Sequence, residues 1–405
     1  MAEPVNTPVP ASTPRSGSPA PPMPNMPTPN APIVPIITSH RSVPLSPLSP
    51  SRPVGNRRPR VLHIGDPVRY NPDTYISFCG QCDIIRPSAA ERERPEFIRA
   101  LREQRWGDFH AIFRPFWGTG GEMGKWDSEL IDLLPPSVRI FASAGAGFDW
   151  ADTRLLGERG IIYCNSGLAC ADAVADFAVA MIISTFRVLP WCMTSAVSPH
   201  PDDFAICHRD ATAVSHNLRG HVLGLVGLGN IGHQIASRCH HGFGMPIHYY
   251  DVAPVAPAVT SALGGAMAHP SLESLLRSAD CVVLCAPAAP PGTGPLLGAA
   301  QLSWMRPGGR LVNVARGSLV DDDAVADALD AGRLSSVALD VHPDEPRVSG
   351  RLKAHAVAGR AMLTCHNAGG TVETHKGFEE LSMRNIMAVL AGGEPITPVN
   401  LQYLK

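Results

Sequence analysis

The chain has 405 residues and a formal net charge of −2. That length suits two domains of about 100–200 residues each. The balanced charge offers no basic field for nucleic acid or a membrane surface. The longest apolar run, Phe177–Phe186, stops at Arg187 and is too short to span a bilayer, and no charged-then-apolar signal begins the chain.

Residues 1–55 hold 16 of the 40 prolines, no Phe, Trp or Tyr, and Glu3 as the only acid. Such a segment buries too little apolar surface to offset its ordering entropy, so a disordered, polyproline-like tail is expected. Its arginines and serines without acids also fit an organellar transit peptide, although the prolines would break the helix such peptides form. The ten cysteines are scattered, mostly in apolar runs such as Cys281 and Cys285 in CVVLC. This pattern suits reduced thiols in a cytoplasmic protein. Cys79 and Cys82 frame a C-x-x-C, but no second pair stands at metal-ligand spacing, and no metal is expected.

Folding starts near Arg60, where RVLHIG reads as a strand closed by glycine. A helix over Pro72–Gln81, a strand over Cys82–Arg86, a helix over Pro95–Gln104 and a strand over His110–Phe113 follow. Trp126–Leu134 reads as helix and Val138–Ser143 as strand, so the alternation predicts a small parallel sheet covered on both faces. Ala171–Arg187 is the longest apolar helix and joins this domain to the next. The stretch from Pro190 to Asn217 is longer than a connection needs and reads as a protruding arm for dimerisation.

The most informative stretch is HVLGLVGLGNIGHQIASRC, from His221 to Cys239. A short buried strand runs into Gly227, Gly229 and Gly232, a G-x-G-x-x-G, and Asn230 and Ile231 open a helix. A second apolar run ends in Asp251, 19 residues after Gly232. An isolated glycine motif marks only a turn, whereas strand, turn, helix and acid together mark a dinucleotide site. Gly227 permits the tight turn, Gly229 lets backbone approach a pyrophosphate, and Gly232 lets helix pack on strand. Helix-start N–H groups hold the phosphates. Asp251 accepts hydrogen bonds from the adenosine ribose and repels a 2′-phosphate, so the cofactor is read as NAD.

Alternation then resumes, with about six strands in all: Leu272–Ser278 helix, Cys281–Cys285 strand, Arg310–Val314 strand, Asp322–Leu329 helix, and last strands at Val337–Val341 and Ala361–Thr364. Thr374–Leu390 is a final helix that returns to the first domain. The fold class is α/β, two doubly wound parallel-sheet domains. Residues 169–371 form a Rossmann NAD-binding domain inserted into a flavodoxin-like substrate domain made of 56–168 and 372–405.

Three groups stand just beyond predicted strands, where ligands bind in open α/β sheets: Arg316, Glu345 and His366. Taken singly, each has an ordinary reading as ion pair, turn residue or structural histidine. As an ordered set they suit reduction of a 2-oxo acid. A guanidinium grips a carboxylate through two parallel hydrogen bonds. The alkoxide formed at the carbonyl needs a proton, which His supplies. A carboxylate on the other ring nitrogen holds the tautomer and favours the acid form.

Beyond residue 60 the chain resembles the NAD-dependent D-2-hydroxyacid dehydrogenases. The motifs SAGAGFD, ADAVADFAVAMII, GLGNIG, MRPGGRLVNVARGSLVDDDAVADAL, ALDVHPDEP and TCHNAGGT stand in the family's order. Through AGAGFDW, RGHVLGLVGLG, HGFGM and YYDVAP it is most similar to the fungal D-mandelate dehydrogenase type. The resemblance implies that Arg316 binds the substrate carboxylate with the Gly145, Ala146 and Gly147 backbone, that His366 is the acid/base, and that Glu345 pairs with it. It implies cofactor contacts from Gly227, Gly229, Asn230, Ile231, Gly232, Asp251, Ala286, Pro287, Ala315, Arg316, Asp340 and His366, with Asp340 on the nicotinamide carboxamide. A homodimer and a D product are further implications.

Three departures stand out: Cys365 where the family has Pro, a proline-rich Ala286–Pro295, and no tryptophan in the arm close to the glycine-motif strand. The expected activity is NADH-dependent, reversible reduction of a bulky or aromatic 2-oxo acid such as phenylglyoxylate, with Phe148 and Trp150 as pocket walls. A glyoxylate or hydroxypyruvate reductase is the alternative within the family, and a non-catalytic NAD-sensing corepressor-like protein the alternative outside it.

Overall fold

The structure, a computed structural model, describes residues 58–116, 118–288 and 292–405. The expected tail, and part of the proline-rich segment after Ala286, lie outside the described residues. Five parallel strands form the first sheet: β1 (Arg60–His63), β2 (Asp83–Ile85), β3 (Ala111–Arg114), β4 (Ile140–Ser143) and β5 (Ile162–Cys164). Their order is β2-β1-β3-β4-β5, the flavodoxin-like arrangement. The second sheet holds β6 (Leu223–Val226), β7 (Ile247–Tyr250), β8 (Met267–Ala268), β9 (Cys281–Leu284), β10 (Gly309–Asn313), β11 (Leu334–Leu339) and β12 (Ala361–Leu363). Its order, β12-β11-β10-β9-β6-β7-β8, places the strand reversal between β6 and β9, as in a dinucleotide-binding sheet.

Every residue of β3, β4, β6, β9 and β10 is buried. Helices cover both faces of a parallel sheet, so its strands read as continuous apolar runs rather than alternating ones. That is why the sequence signals them clearly. Two strands escape the sequence reading. β8 is two exposed residues at the sheet edge and offers no run to detect, whereas β5 lies in the short apolar stretch IIYC, which the sequence reading passed over. The second sheet therefore has seven strands rather than about six.

Three other expectations need correction. The helix expected over Trp126–Leu134 is a single turn, Ser128–Ile131. Pro135 and Pro136 lie close behind it, and Trp126 is spent in a bridge to Ala151. The apolar helix runs from Gly167 to Phe186, 20 residues, which is long and apolar enough to cross a membrane by composition. Half of that apolar window is buried inside the fold, where the helix packs on the helix Asn230–Phe243 and on β10 and β11. It is a core helix here. The arm from Pro190 is built of two short helices, Leu189–Ala196 and Pro201–Asp210, packed on each other.

The last helix, Val372–Leu390, packs on β3, β4 and the helix Pro72–Gln81. Its buried Glu379 accepts the backbone N–H groups of Arg69 (2.7 Å) and Tyr70 (2.8 Å). Asn400 follows suit, its side chain accepting from the Tyr163 N–H at 2.8 Å and donating to the Ile161 carbonyl at 3.0 Å. The C-terminal segment is thus stitched to the first sheet by buried polar groups, each of which would be costly to leave unpaired.

Candidate active site

The carboxyl ends of β6, β7, β9, β10, β11 and β12 all open on one side, and the glycine turn caps the first of them. Gly227 has φ of 94° and donates its N–H to the Tyr250 carbonyl at 2.9 Å. A Cβ on Gly232 would stand 2.3 Å from the Gly227 carbonyl oxygen, so only glycine lets this helix start so close to the strand. At Gly229, by contrast, a Cβ would meet nothing within 4 Å. The turn is closed against the protein at Gly227 and Gly232 and open at Gly229, where Asn230 begins the helix, as a diphosphate seat requires. Asp251 follows β7 and accepts the N–H groups of Leu228 (2.8 Å) and Ala253 (2.9 Å), which fixes its carboxylate beside the turn. Ala286 and Pro287 follow β9, with the Ala286 backbone against Gly227 and Pro287 exposed.

Arg316 follows β10. Asn313, fully buried, donates to the Arg316 carbonyl (2.9 Å) and accepts from the Ala315 N–H (3.0 Å), closing the turn that presents the arginine. Gly317 lies so close to the His342 backbone that a Cβ would fall 1.9 Å from its carbonyl carbon. The guanidinium donates through Nε to Asp149 at 2.9 Å and through Nη1 to the Ala315 carbonyl at 2.7 Å. Nη2 rests on Gly147. The loop Gly145–Gly147 is tied back by its carbonyls, Gly145 accepting from the Ser166 N–H and Ala146 from the Asn165 side chain, both at 2.8 Å. In a trans peptide the N–H points opposite to its carbonyl, so the Ala146 and Gly147 amides face the other way.

His366 stands beyond β12 with Nδ1 2.8 Å from Glu345 Oε2, while Glu345 Oε1 accepts the His342 N–H at 2.9 Å. Its φ of 53° is a left-handed conformation that histidine tolerates better than most residues. Asp340 holds it there. The Asp340 carbonyl accepts the His366 N–H at 2.7 Å, and the buried Asp340 carboxylate accepts from Thr364 Oγ1 and from the N–H groups of Asn367 (2.9 Å) and Ala368 (2.8 Å). Asp340 therefore fixes the loop that carries His366, whatever it also offers a ligand.

A cavity of about 230 Å³ lies between the two sheets, lined by Gly145, Ala146, Gly147, Ile231, Arg316, Asp340 and His366 of the expected set. Trp150, Val174, Val314 and Phe378 add apolar wall, and Arg114 a further charge. The expectation for Phe148 is not met. Its ring packs into the first-sheet core 6.1 Å from Tyr163, and it does not line this cavity. Trp150 lines the cavity while also packing on that same core. Arg114, Asn313 and Thr364 were missed. Arg114 had a signal available, since it ends a buried strand as Arg316 nearly does.

Comparison with known proteins decides the family. Residues 179–368 match the model of the D-isomer specific 2-hydroxyacid dehydrogenase NAD-binding domain. The 4-methyl-2-oxopentanoate reductase A of Aspergillus oryzae is 31% identical over 306 residues, 76% of this chain and 88% of that protein. The chain belongs to the D-isomer specific 2-hydroxyacid dehydrogenases. This dehydrogenase is also 41% identical to the crystal structure of apo D-mandelate dehydrogenase from Rhodotorula graminis, with a TM-score of 0.79 over 85% of this chain and 98% of that one. A glyoxylate reductase of Thermococcus kodakarensis is 33% identical over 279 residues, 69% of this chain and 81% of that protein. The chain is accordingly an NAD-dependent oxidoreductase acting on small 2-hydroxy or 2-oxo acids.

Proposed function

We propose that this dehydrogenase reduces a bulky or aromatic 2-oxo acid to the D-2-hydroxy acid. The observation that carries the substrate reading is the apolar wall of Trp150, Val174, Ile231, Val314 and Phe378 beside Arg316 and His366, and the likeness to a D-mandelate dehydrogenase supports it. The Gly227–Gly232 turn and Asp251 would hold NAD, which in reduced form would supply the hydride. Arg316 and the Ala146 and Gly147 amides hold the substrate carboxylate, which requires Arg316 to exchange its contact with Asp149. His366 donates the proton to the carbonyl oxygen from Nε2, and Glu345 holds Nδ1 so that the tautomer is correct. Asp340 keeps His366 in place.

We also assign 56–168 with 372–405 to one domain and 169–371 to the other, in keeping with the polar stitching of the C-terminal segment to the first sheet. Exposed Met193, Val197, Phe204 and Ile206 on the arm helices support a homodimer through that face. Ten free thiols support a reducing, cytoplasmic setting.

The test is turnover of phenylglyoxylate, phenylpyruvate and glyoxylate with NADH, with Arg316→Ala as control. A clear preference for glyoxylate would overturn the aromatic reading. Persistent reduction by Arg316→Ala would overturn the assignment of the carboxylate site.

A further inference from the structure

One buried residue is bonded both to Glu345 and to the strand end that carries His366. His342 follows β11 and is 5% exposed. Its backbone N–H donates to Glu345 Oε1 at 2.9 Å, and its ring Nε2 lies 2.8 Å from the Thr364 carbonyl oxygen. A carbonyl only accepts, so Nε2 carries the hydrogen and donates it. Thr364 follows β12 directly and stands two residues before His366.

These bonds close a circuit. His342 holds Glu345, and Glu345 Oε2 meets His366 Nδ1 at 2.8 Å. The chain runs back from His366 to Thr364, whose carbonyl accepts the His342 ring hydrogen. Asp340 does a different job. It is bonded around the loop at Thr364, His366, Asn367 and Ala368, which fixes where the imidazole of His366 stands. His342 fixes the carboxylate against that imidazole.

The other ring nitrogen of His342, Nδ1, is buried and meets no partner among the described residues. A buried polar atom left unpaired costs stability, and an apolar side chain of like size would avoid that cost. Packing alone therefore explains this imidazole poorly, whereas the bond from Nε2 to the far strand explains it well. His342 does not line the cavity, so it acts through its neighbours and not on the substrate.

We infer that His342 is a positioning residue, whose ring sets the spacing of the β11 and β12 ends and so the seating of the Glu345 carboxylate on His366 Nδ1. This inference rests on the dehydrogenase reading of the same site.

The experiment compares the wild type with His342→Leu, which keeps bulk and loses the donor, and His342→Gln, whose amide N–H reaches about as far as Nε2. Full-length protein loaded with NADH is mixed with the best of phenylglyoxylate, phenylpyruvate and glyoxylate. NADH oxidation is followed over a single turnover, so that product release does not mask the chemical step. His342→Leu should slow that step by roughly 10- to 100-fold, the scale of a misplaced reacting group. The half-saturating oxo acid concentration and the NADH dissociation constant should stay within about twofold of wild type, because no binding contact is removed. His342→Gln should recover most of the rate. A rate in His342→Leu within about threefold of wild type overturns the inference. So does a loss that His342→Gln leaves unrepaired, or one matched by weaker oxo acid or NADH binding. If His342→Leu does not fold, His342→Asn replaces it under the same criteria, since its amide stops at the position of Nδ1. Turnover of no oxo acid by the wild type removes the underlying reading and this one with it, whereas wild-type turnover with an unimpaired His342→Leu removes only the role of His342.

Discussion

Gly147→Ala tests whether the arginine and the glycine loop form one carboxylate grip. An added Cβ would lie 1.2 Å from Arg316 Nη2 and 2.3 Å from Cζ. Carbon contacts relax only near 3.5 Å, so the guanidinium must retreat by about 2 Å. The obstacle is the far end of a flexible side chain, and Gly147 is not among the positive-φ glycines, so an alanine backbone is allowed there. Fold stability should change little. The retreat pulls Arg316 off its bonds to Asp149 and the Ala315 carbonyl and off the line of the Ala146 and Gly147 amides. Losing one charge-assisted hydrogen bond to the substrate costs about 1.5–3 kcal/mol, or roughly 10- to 150-fold in kcat/KM. NADH consumption with the best oxo acid measures it, and NADH binding followed by fluorescence should stay near wild type. A folded variant within about threefold of wild type in kcat/KM would refute the shared grip.

Asp251→Ser should raise the NADPH-to-NADH ratio of kcat/KM by about tenfold or more, since it removes a charge facing the 2′-phosphate; an unmoved ratio would mean that Asp251 only braces Leu228 and Ala253. Glu345→Gln should lower kcat with the Tm nearly unchanged, by part of the roughly 100- to 10,000-fold that a positioned general acid contributes, because it loosens the hold on His366 Nδ1. His63 is buried, and burial pulls it down to about 4, against a smaller opposite pull from the Asp66 carbonyl. Its folded value lies below its unfolded one, so the neutral ring contributes stability above about pH 6.5 that is lost as pH falls toward 4. The loss is on the order of 3 kcal/mol, and His63→Gln should flatten that part of a urea-denaturation pH series.

Much of the fold was legible because parallel sheets buried on both faces leave runs such as LGLV, CVVL and GRLVN in the sequence. What lacked such runs was lost: β8 is two exposed residues, and the helix expected at Trp126 shrank to one turn ahead of Pro135. The arm from Leu189 was legible as an insertion but not as two helices, because each is short and carries a proline in its first turn that local pattern reads as a break.

The candidate site shows the same division more sharply. Arg316, Asp340 and His366 follow β10, β11 and β12, which are adjacent strands in sequence and in space. Right-handed crossovers make chain order into spatial order there, so a reader who knows only that ligands gather beyond strand ends can converge these residues on one point. The opposite wall obeys that rule only at Arg114, which ends β3. Arg114 and Trp150 belong to the other sheet, and what brings them to His366 is the packing of two sheets through the helices Gly167–Phe186 and Val372–Leu390, which join the sheets without leaving a spacing in the sequence. Arg316, Glu345 and His366 are therefore carried by one sheet, while the cavity they face is closed by the Gly145–Gly147 loop, Arg114 and Trp150 of the other. The side chains that shape the cavity opposite Arg316 and His366 are for that reason to be sought on the first-sheet wall, as Trp150 is, rather than around the glycine turn.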